Sequence, residues 1–144
     1  MVLVAKDIVE KEFLTLSRET SALEAARQMK ATSHGFAIIA GQGGDPEGIV
    51  TEWDFLSKVV AQSRDPATMT LGEIMTAGDL VHVDAGEGLY QVAQIMTQKG
   101  IRRVLVIKDH QVLGVITAKT MLSRLKEYID KISTQIARLQ SPMF

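Results

Sequence analysis

The sequence contains no cysteine. That excludes disulfides, thiolate nucleophiles and cysteine-ligated zinc, and it accords with a cytoplasmic protein. Neither charge is in surplus: 16 Lys and Arg stand against 17 Asp and Glu, a formal net charge of −1. No overall field therefore draws the chain to nucleic acid or to an anionic membrane. No apolar run approaches the roughly 18–20 residues of a membrane span. The opening MVLVAKDIVEKEF carries acidic residues and no long apolar stretch, so no signal peptide is expected. His34, His82 and His110 are far apart and no pair has helical ligand spacing, so no metal site is expected. No serine–histidine–acid set and no pair of carboxylates stands out, so no catalytic residue is assigned and the chain is not read as an enzyme. The glycine-rich GQGGDPEG, Gly41 to Gly48, lacks the Lys-Ser/Thr ending of a phosphate-binding loop and lies between two strand-like segments, so it reads as a flexible loop. What is present is 144 residues, 46% hydrophobic and 23% charged. That is one domain's worth of chain, able to bury roughly 70% of its unfolded surface.

The chain is written twice. FLTLSRETSALEAARQMKATSHGFAIIA, from Phe13, aligns without gaps on LVHVDAGEGLYQVAQIMTQKGIRRVLVI, from Leu80, at an offset of 67. Met29 falls on Met96, Ala26 on Ala93, and FAII on RVLV. The next loop is one residue shorter in the second copy, and GIVTEWD (Gly48 to Asp54) then matches GVITAKT (Gly114 to Thr120) at an offset of 66. A fixed period of this kind marks one structural unit used twice. Between the copies, SRDPATMT, Ser63 to Thr70, has the proline and small polar residues of a connector.

Each copy predicts the same elements. FLTL and LVHV alternate as short strands. SALE, Ser21 to Glu24, has the form of a capping box opening a helix. Ala22, Ala26 and Met29 stripe that helix, and Leu89, Val92, Ala93 and Met96 stripe its counterpart. FAIIA and RVLVI are apolar without alternation, which predicts strands buried on both faces. A loop, a strand ending in GIV or GVI, and a second helix complete β-α-β-β-α. The expected fold is α/β (α+β in some schemes): two such units packed with pseudo-two-fold symmetry, plus a long C-terminal helix. The expected boundaries are 1–62 for the first unit, 63–70 for the linker, 71–128 for the second unit and 129–144 for a helical extension.

Thr51 and Thr117 stand where strand passes to helix. Threonine is a favoured N-cap, and Asp54, three positions on, would complete a capping box, so this tetrad alone is accounted for as a helix start. Arg102 and Arg103, at the foot of an apolar strand, read by themselves as a solvated edge or, since adjacent strand side chains oppose one another, as one outward and one inward cation. Trp53 reads as a helix residue covering the core or an interface.

On a doubled β-α-β-β-α unit of this length, GIVTEWDF and GVITAKTM resemble the CBS domain family, named after cystathionine β-synthase, over the span from about Val4 to Tyr128. Such domains come in tandem pairs and often bind adenine nucleotides or related adenosyl compounds. The resemblance implies that Asp54 accepts from the ribose hydroxyls, whose cis-diol suits a two-oxygen acceptor. It implies that the Thr51 hydroxyl, with a helix N-terminus behind it, faces phosphate. Ile49 and Val50 would lie along the ligand, and Val81 would line the pocket. Arg102, Arg103 and Lys119 fall on positions that contact phosphate in nucleotide-binding members.

The second copy has Thr120 in place of the aspartate. Two related clefts are therefore expected. One is anchored by Asp54. The other is bordered by His34, Gly35, Phe36, Thr117 and Thr120, and is weak, empty or differently selective, a hydroxyl giving up on the order of 1.5–3 kcal/mol against a charge-assisted bond. In the tail, Leu122, Leu125, Ile129, Ile132, Ile136 and Leu139 alternate spacings of three and four, a heptad seam. That seam either folds back on the chain's own core or, the reading preferred, meets another subunit, in agreement with the dimers common among CBS pairs. The function expected is a cytoplasmic, non-catalytic sensor of AMP, ADP, ATP or a related adenosyl ligand, requiring no cofactor. It would act as a homodimer on a regulated protein partner, away from membranes and nucleic acid. The alternative is a protein-interaction or DNA-associated adaptor with a vestigial cleft. No basic stripe of the usual kind supports a DNA role.

Overall fold

The computed structural model describes residues 3–78 and 80–140. The first two residues of the expected first unit and the last four of the expected extension, 141–144, lie outside them. The chain opens with a single helical turn, α1 (Ala5–Ile8). The first unit follows as β1 (Leu14–Leu16), α2 (Ala22–Thr32), β2 (Phe36–Ala40), β3 (Pro46–Thr51) and α3 (Glu52–Phe55), which continues through a π-type turn at Leu56–Val60. Another helical turn, α4 (Leu71–Ile74), and a two-residue strand, β4 (Thr76–Ala77), lead to the second unit. That unit is β5 (His82–Asp84), α5 (Leu89–Lys99), β6 (Arg103–Lys108), β7 (Gln111–Thr117) and α6 (Ala118–Arg138). The expected β-α-β-β-α order therefore appears twice, and each copy carries a lead-in turn that the sequence reading did not assign. The Gly41–Gly48 loop is shorter than expected: Gln42–Gly44 make one 3-10 turn, and Pro46 already starts β3.

The two sheets have matching topology. In the first, β1 runs parallel to β2, and β2 pairs antiparallel with β3, which pairs antiparallel with β4. In the second, β5 is parallel to β6 and β6 antiparallel to β7. Strand parity divides the core. Ala37 and Ile39 of β2, with Val50 of β3, join Ala22, Ala25 and Val59 under the first unit's helices. Val104, Val106 and Ile116 do the same with Val92, Met96 and Met121 in the second unit. The alternate residues, Phe36, Ile38, Leu105 and Val115, with half-buried Phe13, Ile49, Leu80 and Val112, form a third cluster that seals the two sheets against each other. This is why FAIIA and RVLVI show no alternation: both faces are covered.

The lead-in turns are exchanged between units. Ala5 and Ile8 of α1 are buried in the second unit's core, while Leu71 and Ile74 of α4, with Met69 before them, are buried in the first unit's. Both turns are capped alike. The Val4 N–H donates to Asp7 Oδ2 at 2.9 Å and the Thr70 N–H to Glu73 Oε2 at 2.7 Å. The second bond holds the Glu73 carboxyl below its ordinary range. The repeat thus begins earlier than Phe13, with VAKDIV matching TLGEIM.

Three details of the helices depart from expectation. Ala25, not Ala26, joins Ala22 as a buried alanine of α2. Ser21 Oγ accepts the Glu24 N–H at 3.1 Å, but the Glu24 carboxylate accepts from Gln28 Nε2, so only half of the capping box forms. Trp53 is 70% exposed and covers none of the chain's own core. Among the described residues no helix is long and apolar enough to cross a membrane.

Candidate functional site

The first corner forms where β3 ends at Thr51 and α3 begins. The Thr51 N–H donates to Asp54 Oδ2 at 2.9 Å, and the Thr51 hydroxyl lies 3.5 Å from the same oxygen. Asp54 Oδ1 pairs with Lys58 Nζ at 2.9 Å, and the same ammonium donates to the Ile74 carbonyl, the end of α4, at 2.8 Å. Asp54 is 5% exposed and is the one buried charged residue among the described residues. The local reading as a cap is therefore correct, and it is incomplete. The capping acids Asp7 and Glu73 do the same backbone work from exposed positions. Capping needs no burial, and enclosing a carboxylate costs free energy unless it is paired, which here Lys58 provides.

Strand parity sorts the other residues expected at this site. Ile49 joins the cluster between the sheets, whereas Val50 is wholly enclosed in the first unit's own core and cannot lie along a ligand in the cleft. Arg103 shares the inter-sheet face of β6 with Leu105. Its Nη2 reaches across the module to Glu52 of the first unit, 3.0 Å from Oε1 and 3.3 Å from Oε2, with its guanidinium 5.4 Å from the Phe36 ring centre. Arg102, one residue earlier, is exposed. Lys119 is exposed near the start of α6, and Val81 is half-buried just ahead of β5. The structure therefore gathers Thr51, Asp54 and Ile49 at one corner and brings Arg103 beside it. It leaves Arg102 and Lys119 in solvent.

Gly35 lies beneath the cross-module pair. A Cβ there would overlap the Glu52 carboxylate and come within 2.8 Å of Arg103 Nη2. The Gly35 carbonyl accepts the Glu52 N–H at 3.1 Å, which pins Glu52 in place. His34 sits 6.2 Å from Phe36, ring to ring, and its Nδ1 is buried without a partner. His34, Gly35 and Phe36, expected at the second cleft, thus lie by the Glu52–Arg103 pair.

The second corner corrects a sequence-based expectation. The Thr117 hydroxyl accepts the Thr120 N–H at 3.1 Å, and the two hydroxyls are 2.9 Å apart. The Thr120 hydroxyl also donates to the Glu10 carboxylate. Glu10 arrives on the exchanged lead-in, whose backbone pairs with Val115 through N–H···O bonds of 2.9 and 3.0 Å. The second corner therefore does have a carboxylate, brought by another segment. Glu10 and Thr76 occupy equivalent places, as do Thr120 and Asp54, so the acid has moved from the helix to the lead-in.

Two hollows lie apart from both corners. One, of about 280 Å³, is bordered by His82, Asp84, Glu87 and Gln91 on the second unit. The other, of about 260 Å³, opens between the units at the hairpin ends, against Phe13, Thr15, Ile38, Pro46 and Val112. Glu52, Lys58 and Glu10 were missed from sequence. Lys58 had a readable signal, an acid followed four residues later by lysine on one helix face. Glu10 had one in the extended repeat. Among the described residues no cluster of His, Asp and Glu could hold a metal ion.

Comparison with known proteins places this geometry. The CBS domain model matches residues 5–61 and 71–127. The chain is 27% identical over 124 residues to hypoxic response protein 1 of Mycobacterium tuberculosis, spanning 86% of each. Its fold superposes on the CBS domain pair of protein MJ0100, solved in complex with 5′-methylthioadenosine and S-adenosyl-L-methionine, at a TM-score of 0.75 and 30% identity, covering 88% of this chain and 98% of that one. It also superposes on a hexameric CBS-CP12 protein from bloom-forming cyanobacteria, at a TM-score of 0.78 and 36% identity, covering 85% of this chain and 67% of that one.

Proposed function

The chain belongs to the CBS domain family as a tandem pair, and from that premise we propose that it is a regulatory, non-catalytic module of the cytoplasm that binds AMP, ADP, ATP or a related adenosyl ligand. The observation that carries this reading is the burial of Asp54. Of the acids that cap a strand-to-helix or lead-in turn, it alone is enclosed, and it stands at the family's signature position. Burying a carboxylate costs free energy that capping alone does not require, which points to a second role for this one. The solved pair bearing 5′-methylthioadenosine and S-adenosyl-L-methionine, at 30% identity, supports the same ligand class.

Binding would proceed by exchange. The ribose diol takes Asp54 Oδ1 from Lys58, whose long side chain is 43% exposed and free to swing into water. Lys58 also holds the Ile74 carbonyl, so a ligand that displaces the ammonium from Asp54 loosens the tie to α4. That turn is the second half's lead-in, buried in the first unit's core, and the ligand would thereby bias how the halves pack and what the module presents to a regulated protein partner. Membranes and nucleic acid play no part in this scheme.

A thermal-shift panel of adenosine, AMP, ATP and S-adenosylmethionine tests it. A ligand at 100 times its dissociation constant should stabilise the fold by about 2.7 kcal/mol. Asp54→Ala should lose that shift, while Glu73→Ala, which removes a cap from an exposed turn, should keep it. Equal shifts in both variants would reduce Asp54 to a cap. A flat panel would favour the second reading, an adaptor with a vestigial cleft. One observation favours that reading: both Asp54 oxygens are already engaged, by the Thr51 N–H and by Lys58.

A further inference from the structure

We propose that Glu52 makes the Asp54 cleft selective for adenosyl ligands without a 5′-phosphate, because its carboxylate already occupies Arg103, the cation on the inter-sheet face of β6. This rests on the adenosyl reading of that cleft and narrows it to a ligand class.

Glu52 directly follows Thr51, whose hydroxyl the family resemblance sets toward a phosphate, and lies two residues before Asp54. Its backbone is fixed by the 3.1 Å bond to the Gly35 carbonyl, and its carboxylate folds over Gly35, where no side chain intervenes, to meet Arg103. Arg103 Nη2 faces both Glu52 oxygens, at 3.0 and 3.3 Å. The guanidinium is further held over the Phe36 ring at 5.4 Å. Asp54 is likewise neutralised, by Lys58. The corner's charges are thus closed in two pairs, Asp54 with Lys58 and Glu52 with Arg103. A diol entering at Asp54 releases one flexible lysine. A phosphate must in addition take Arg103 from Glu52 and leave that carboxylate facing an anion of the same sign. Glu52 is 58% exposed, so water screens part of this repulsion; the remainder disfavours a phosphate against a neutral substituent. Glu52 also stands at the first position of α3, where it supplies the anion that the helix N-terminus favours. Arg102 and Lys119 lie in solvent and do not supply a replacement at this corner. The ligand class that fits is an adenosine whose 5′ substituent is neutral or cationic.

Isothermal titration of the full chain with 5′-methylthioadenosine and with AMP, in the wild type, Glu52→Gln and Arg103→Met, tests this. The wild type should prefer 5′-methylthioadenosine over AMP by about ten-fold or more, the equivalent of 1.4 kcal/mol. Glu52→Gln keeps a hydrogen-bond acceptor for Arg103 while removing the charge, and should shift the ratio of the two affinities toward AMP by about ten-fold. Arg103→Met should shift it further against AMP. Far-ultraviolet circular dichroism and melting temperature establish that each variant is folded. A wild type that binds AMP as tightly as 5′-methylthioadenosine, or a ratio unmoved in Glu52→Gln, overturns the selectivity while the adenosyl reading stands. Absence of binding by either compound to any of the three proteins overturns the adenosyl reading and this inference together.

Discussion

At the scale of single residues, the glycines of the two signatures are set by what passes beside them. A Cβ at Gly114 would overlap the Glu10 carbonyl, and one at Gly48 would meet Met75 Sδ at 2.7 Å and the Thr76 carbonyl at 2.8 Å. In both units the exchanged lead-in runs against the strand at this point, and backbone cannot swing aside as a side chain can. Gly114→Ala is therefore expected to lower stability by about 1–3 kcal/mol, read as a fall in the urea midpoint. Gly86→Ala is the control: nothing lies within 4 Å of a Cβ there, and its effect should be neutral or slightly stabilising. A midpoint unmoved by Gly114→Ala would mean the lead-in is not held where the structure shows it. Nothing near Gly114 in sequence explains it, because the neighbour that demands it comes from more than a hundred positions away. Residue parity was more accessible. Alternation predicts that Ile49 and Val50 face opposite ways, although the sequence reading set both along a ligand, and it gave Arg102 and Arg103 as one outward and one inward cation without saying which. The partner of Arg103, Glu52, depends on tertiary approach and carried no local signal, and Glu10, the partner of Thr120, had only the extended repeat to point to it.

At the scale of elements, α2 and α5 are equivalent helices of 11 residues that end differently. Both terminate in a left-handed residue whose successor donates back into the last turn: the His34 N–H to the Met29 carbonyl at 3.0 Å, and the Ile101 N–H to the Met96 carbonyl at 3.0 Å. The left-handed residue is Gly100 in α5, at φ 64°, and Ser33 in α2, at φ 57°. Serine carries a Cβ into a region that costs an L-residue roughly 1–2 kcal/mol, and glycine does not. Ser33→Gly should stabilise the protein by about 1 kcal/mol, a rise in melting temperature of about 2–4 °C for a chain of this size. Gly100→Ser should do the reverse. A fall in melting temperature for Ser33→Gly would show that the serine side chain contributes something the cap geometry does not reveal. These helices and the buried strands were readable from sequence because each runs long enough to display its period. The lead-in turns α1 and α4 have four residues each, too few for a period, and were found only once the other unit's core was seen to enclose them.

At the scale of the whole molecule, the surface left apolar follows the same repeat. Trp53, Leu56 and Val60 are spaced by three and four along the first unit's second helix and are exposed, as is Leu122, the equivalent of Leu56. Leu125 packs partly on the second core. Beyond it Ile129, Ile132, Ile136 and Leu139 all remain exposed. Of the two sequence-based readings of the seam, folding back onto the chain's own core is not what α6 does. The helix runs from Ala118 to Arg138, about 31 Å at 1.5 Å per residue, and projects past the sheet that it caps. A contiguous apolar stripe of this length on one face is the mark of an interface, and its spacing of three and four suits a second helix of the same kind. The expected occupant is a second copy of this chain, whose own α6 would offer a matching stripe. Ile129→Glu combined with Ile136→Glu places two charges in that seam without touching any buried residue, so the module should remain folded with an unchanged circular dichroism spectrum. Sedimentation velocity is expected to show a dimer for the wild type and a monomer for the double variant, with a chain ended after Tyr128 likewise shifted toward monomer. If the double variant sediments as the wild type does, the seam is not a contact between copies; a dimer that persists in both would point to the face that carries Trp53, Leu56 and Val60, and two monomers would mean that the seam does not pair copies at all.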